Sequence, residues 1–383
     1  MGEQGADKKK PLVRFGEFDL LKAMAILGLP AVHIMEEAME AGVATKGLIE
    51  FSTPIIGLCV FGPSLFMICM GFGIGGSAAS PKIIRKNGIQ FLLIGAILNI
   101  VRWFIPGVIE SIVTGDKLVD DISFCLVSDI YYFVGLFFIA YSFLKKLKLD
   151  TAGIMLISVL TLSLNTFLTP VTGKYIKNEI VSALVGNIVY VDETSCFPLL
   201  SWLIFPCVGV LLGEVLKKSD EEKREIFMKR TLDFSVTLLI AFTIFLYNYD
   251  IDIIKVVISP VNDYITDFPN VILLICFALI LICLVYYLCK IIGASKFMAF
   301  MLKISTFIMP FYLLQWVIIA WIFYGMSIFG APEGCFNILM FIVSVVVVTA
   351  ICIFVTITRG MRIMKYLLKI TSFKKKKKKK KKA

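Results

Sequence analysis

The stretch Arg14-Phe-Gly-Glu-Phe-Asp19-Leu-Leu-Lys22-Ala-Met-Ala-Ile-Leu-Gly-Leu-Pro30-Ala-Val-His33-Ile-Met-Glu36-Glu37 is apolar enough to cross a bilayer, yet it carries charged groups inside it. About 20 consecutive apolar residues span the ~30 Å hydrocarbon core. Residues 19–38 form one such run, and nine more lie at 54–76, 88–106, 128–145, 151–169, 197–216, 232–249, 269–290, 304–327 and 336–358. The chain has 383 residues, 58% hydrophobic and 17% charged, too much apolar surface for one water-soluble core. These features predict an all-α integral membrane protein with about ten transmembrane helices and no sizeable soluble domain.

Basic residues set the orientation. With the amino terminus inside, the inner segments collect Lys8 to Lys10, Arg14, Lys82, Arg85, Lys86, Lys145, Lys146, Lys148 and the basic stretch from Lys217 to Arg230. The outer loops hold Lys46, Lys117, Lys174, Lys177 and Lys255, and Arg102 sits at the outer end of the third span. This asymmetry places both termini in the cytoplasm. No small-residue cleavage site follows the first apolar run, so it reads as a retained span rather than a signal peptide. The chain divides into a cytoplasmic segment 1–14, one membrane-embedded domain 15–370 and a poly-lysine tail 371–383. The tail suits anionic lipid heads. Nothing aromatic is interleaved with its lysines, so no specific nucleic-acid partner is expected. Cysteines scattered through apolar runs read as small filler, and Cys125, Cys196 and Cys335 fall in outer loops where a disulfide is allowed without a deducible pairing. The absence of an Asn-x-Ser/Thr sequon favours a bacterial plasma membrane.

The first span carries the chemistry. At 100° per residue, His33 lies about 20° around the helix from Lys22 and about 40° from Asp19, so all three share one face. His33 sits about 16 Å deeper than Lys22, near the middle of the hydrocarbon. Pro30 gives no amide hydrogen to the carbonyl of Ile26, which predicts a kink and a freed polar group beside the histidine. Glu36 and Glu37 follow at spacings that would let either carboxylate orient the imidazole. A histidine that merely bonds between helices is the plainer reading, but intramembrane ionisable groups are by default functional suspects.

The pattern Arg14, Asp19, Lys22 and then ten residues to His33 resembles the first helix of the transmembrane acyltransferase superfamily. That superfamily includes the acyltransferase-3 polysaccharide O-acetyltransferases and the heparan-alpha-glucosaminide N-acetyltransferase family. Gly71-Phe-Gly-Ile-Gly-Gly-Ser with Ile-Ile-Arg85-Lys86, Asp129-Ile-Tyr-Tyr-Phe-Val-Gly135 and Phe197-Pro198-Leu-Leu-Ser-Trp202 are similar to segments of the second family, and Phe311-Tyr312-Leu-Leu-Gln315 is a looser echo. Acyltransferase-3 members usually carry arginine where this chain has Lys22, which keeps the charge but loses a planar bidentate donor.

The resemblance implies transfer of an acetyl or other acyl group from cytoplasmic acyl-coenzyme A to a hydroxyl or amine of an extracytoplasmic glycan or lipid-linked sugar. His33, Asp19 and Lys22 would then be catalytic, with His33 as general base or transient acyl carrier. Arg14, Arg85 and Lys86 would hold the nucleotide phosphates. Positive-inside anchoring is the plainer reading of Arg85 and Lys86. Asp129, Trp202, Glu36 and Glu37 would receive the sugar, although Trp202 also suits an interfacial aromatic belt. Gly71-x-Gly73-x-x-Gly76 fits a dinucleotide fingerprint only formally, because no strand precedes it; Gly71 and Gly75 read instead as a small-residue packing pair. No metal site is expected, and a homo-oligomer is allowed. A secondary transporter or flippase is the competing class, but the halves 1–190 and 191–383 show no clear repeat.

Overall fold

A computed structural model of the chain describes residues 15–59, 61–115, 125–127, 129–192, 195–249, 251 and 268–371. Arg14 and the lysines from Lys374 onward lie outside these residues. The first half runs α1 (Gly16–Glu40), α2 (Lys46–Cys59), α3 (Phe61–Ile74), α4 (Pro81–Asn99), a π-helical segment (Ile100–Phe104), α5 (Ile105–Thr114), α6 (Ile130–Lys146), α7 (Thr151–Tyr175) and α8 (Glu179–Gly186). It continues through α9 (Leu199–Trp202), α10 (Ile204–Leu216), α11 (Glu221–Asn248), α12 (Phe268–Ile292), α13 (Lys296–Thr306), α14 (Ile308–Ile328) and α15 (Ile338–Ile370). Apart from one bridge between Ala44 and Phe336, no strand occurs among the described residues. The fold is that of an all-α, multi-pass membrane protein.

Among the described residues, eight helical segments are long and apolar enough to cross a bilayer. The other two expected spans differ from a full-length helix. Span 54–76 falls on α2 and α3, with residue 60 between them outside the described residues, and span 128–145 is α6, whose 17 residues rise only about 25 Å. Two helices also extend beyond their apolar runs. Asp220 accepts from the Lys223 amide at 2.9 Å and starts α11 eleven residues before the expected boundary at 232. The basic stretch from Lys223 to Arg230 is therefore helical. Asn337 caps α15 through Met340 at 3.0 Å, and that helix runs 33 residues, well past the expected end at 358.

The helix α1 is central. It packs against α2, α3, α12, α13, α14 and α15, burying Leu20, Leu21, Ile26, Ile34 and Met35. By contrast, α11 buries only Met228, Ser235 and Leu246 and packs on α12, so most of its apolar side chains face lipid. Glycine permits the close approach of α3 to α10. A Cβ at Gly71 would lie 1.9 Å from the Pro206 carbonyl oxygen, and one at Gly209 would lie 2.0 Å from that of Ile68. Gly75 and Gly213 repeat the contact one turn on, as the small-residue reading of Gly71 and Gly75 expected. Lys217 closes the end of α3, its Nζ donating to the carbonyls of Phe72 at 2.6 Å and Gly75 at 2.7 Å.

Candidate active site

A cavity of about 630 Å³ runs beside α1. Lys22, Ile26, Leu29, His33, Glu36 and Glu40 line it, recurring every three or four residues along one helical stripe. From Lys22 to Glu40 the helix rises about 27 Å, close to the full hydrocarbon thickness. The opposite wall comes from α3, the π segment, α6 and α14.

His33 lies on this wall, 7% exposed. Its ring stacks on Trp316 at 3.8 Å between centroids and meets the edge of Tyr312 at 6.0 Å. Pro30 is buried, and α1 continues through it as one helix. The hydrogen-bond partner of the imidazole is Gln315, whose amide nitrogen is 3.2 Å from Nδ1. That bond fills the orienting role expected of Glu36 or Glu37, which instead line the cavity one turn further out. The amide serves in two senses. With nitrogen toward the ring, Nδ1 accepts and Nε2 carries the proton; with oxygen toward the ring, Nδ1 donates and Nε2 presents its lone pair. The second sense is the one base or nucleophilic chemistry needs, and it gives Oε1 of Gln315 the partner it otherwise lacks.

Toward the outer side of His33, Asp129, expected to receive the sugar, pairs with Arg102, which sequence reading left without a role. Arg102 Nη2 is 3.0 Å from Asp129 Oδ2, and both side chains are almost fully buried. The π segment carries Arg102; such a bulge inserts an extra residue and re-aims the side chains that follow. The guanidinium lies over Trp316 at 4.3 Å and over Trp103 at 5.1 Å. Asp129 is held on every side. Its Oδ1 accepts from the Tyr131 amide at 3.0 Å, capping α6, and its Oδ2 accepts from the Tyr312 hydroxyl at 3.1 Å. Asp129 lines the cavity, but its oxygens are bonded within the protein and anchor Arg102 rather than standing open to a sugar.

At the inner end, Lys22 Nζ pairs with Asp19 at 2.8 Å. Among the described residues no group of His, Cys, Asp and Glu comes together to hold a metal ion.

The family model described as an acyltransferase domain matches residues 15–357. This chain belongs to the acyltransferase-3 family. No curated protein and no solved structure matches it. The membrane acyltransferase therefore has its His33 cavity wholly within the matched span.

Four described residues that sequence reading assigned to the acyltransferase's site lie off the cavity wall. Asp19 is one, reaching the cavity only through its ion pair with Lys22. Arg85 lines a separate groove of about 280 Å³ with Lys82 and Lys146, on the inner ends of α4 and α6. Lys86 is exposed beside it. Trp202 is 1% exposed, packed between Phe197 and Phe205, so its indole is a core side chain and neither a sugar platform nor an interfacial belt. Cys125, Cys196 and Cys335 are free thiols.

Proposed function

We propose that this acyltransferase moves an acetyl or other acyl group from a cytoplasmic acyl-coenzyme A to a hydroxyl or amine of an extracytoplasmic glycan or lipid-linked sugar, in a bacterial plasma membrane. The observation that carries the reading is the cavity itself. It follows α1 for nearly the thickness of the membrane, with a single imidazole on its wall about midway. A thioester entering past Lys22 and an acceptor entering past Glu40 would meet at His33.

His33 Nε2 takes the proton of the acceptor hydroxyl as its oxygen attacks the thioester carbonyl, and returns it to the sulfur when the C–S bond breaks. The same lone pair would serve if the acyl group rested on the ring first. Gln315, with its amide oxygen turned to Nδ1, would hold the tautomer that frees Nε2, and Trp316 would fix the ring plane. Lys22, kept in place by Asp19, would contact the donor's phosphates, with Arg14, Arg85 and Lys86 adding positive charge on the same face. Glu36 and Glu37 would line the acceptor's approach.

Acetyl-coenzyme A should stabilise the detergent-solubilised protein. A ligand that binds only the folded state at a hundred times its Kd adds about 2.7 kcal/mol, so the melting temperature should rise at millimolar donor. An unchanged melting temperature, together with no release of free coenzyme A thiol on adding glycan, would remove the reading.

A further inference from the structure

The outer half of the cavity has a composition that selects among acceptors. Glu36, Glu37 and Glu40 line it from α1, and the half-buried Trp103 adds an indole, while Trp316 is already covered by His33 and Arg102. The cation on that side is Arg102, whose charge is already matched by Asp129 at 3.0 Å. Lys22 is at the opposite end and is paired with Asp19. Yet Arg102 is not saturated. It is 4% exposed, and its Nε and Nη1 have no hydrogen-bond partner although the side chain forms part of the cavity wall. Buried donors without acceptors are costly, which marks a place where a ligand oxygen fits.

We propose that this half of the cavity is a subsite for an uncharged polyhydroxyl acceptor, with Arg102 donating to one of its oxygens and the glutamates receiving its hydroxyl protons, and that anionic acceptors are turned away. A sugar hydroxyl both donates and accepts, so it satisfies carboxyl groups and guanidinium N–H together. The Trp103 indole suits the C–H side of a pyranose ring. A carboxylate or phosphate would instead leave water for a wall that offers three carboxyl groups and no uncommitted cation among its described residues. Calling this ligand an acceptor rests on the acyl-transfer reading; its charge selectivity does not.

The test is direct binding to the full-length protein in phosphatidylcholine nanodiscs, read by intrinsic tryptophan fluorescence, because Trp103 and Trp316 line the site. The probes are maltotriose and trigalacturonate at equal ionic strength. Maltotriose should quench saturably, and trigalacturonate should bind at least about tenfold more weakly. The near-isosteric pair of substitutions Glu36→Gln and Glu40→Gln should narrow that gap. Equal or tighter binding of trigalacturonate, no binding of maltotriose, or a gap unmoved by the double substitution would overturn the proposal. If maltotriose binds selectively while acetyl-coenzyme A neither binds nor reacts, the subsite stands and the acyl-transfer reading falls; the reverse result removes the subsite alone.

Discussion

Gln315 reaches His33 across the interface of α14 and α1, its amide 3.2 Å from Nδ1, and both side chains are buried. With the amide nitrogen toward Nδ1 that nitrogen accepts, and turning the amide over would present its oxygen and leave the Nε2 lone pair free. Gln315→Leu keeps the approximate volume but removes the tautomer control. Turnover should fall about a hundredfold, while the melting-temperature rise with acetyl-coenzyme A persists. Full activity in the variant would show that the bond is only structural.

His33→Ala should lower acyl transfer by about two to four orders of magnitude without loss of folded protein, since the ring borders a cavity rather than filling the core. Labelling of a glycan with radioactive acetyl-coenzyme A, run beside a detergent melting curve, separates the two effects.

Arg102 and Asp129 should prove energetically coupled. Removing either partner of a buried pair costs about 3–5 kcal/mol, whereas replacing both by apolar groups is often close to neutral. Arg102→Leu and Asp129→Leu should each lower the melting temperature markedly, and the double variant should recover much of the loss without recovering activity. Additive single effects would contradict the pairing.

Lys22→Arg should tighten acetyl-coenzyme A binding several-fold, because a planar fork replaces a point charge where phosphate is expected. Lys22→Met should weaken it. Melting-temperature titrations with the donor give both constants; identical values for the three proteins would take Lys22 out of the donor site.

Glycine substitutions separate packing from lining. Gly71→Ala drives a methyl group into the Pro206 backbone, whereas Gly73→Ala meets nothing within 4 Å. The first should destabilise the protein by about 1–3 kcal/mol, and the second should leave the melting temperature unchanged or slightly raised.

The face of α1 was legible in the sequence because Asp19, Lys22 and His33 share one helix, where periodicity alone decides what lies together. Gln315 was not, since 282 positions separate it from His33 and only tertiary packing joins them. Both missed partners left a trace: a glutamine in an apolar span, and an arginine placed at a span end although it lies buried beside the cavity. Hydropathy found the spans but not all their ends, one of which Asp220 sets by capping. Trp202 went the other way: an aromatic near a span end looked interfacial, while packing with Phe197 and Phe205 took it into the core.

The π segment has a consequence for how this span is phased. Gly88, below it, is locked against Gly135 on α6, while Trp103, inside it, faces the cavity. One surplus residue rotates everything downstream by about 100° relative to an unbroken α-helix. Deleting a single residue between Ile100 and Phe104 would therefore swing the outer third of the span around its axis and carry the indole off the pocket, leaving the inner glycine contact untouched. The helix thus answers to two neighbours at once, and five residues reconcile their angular demands.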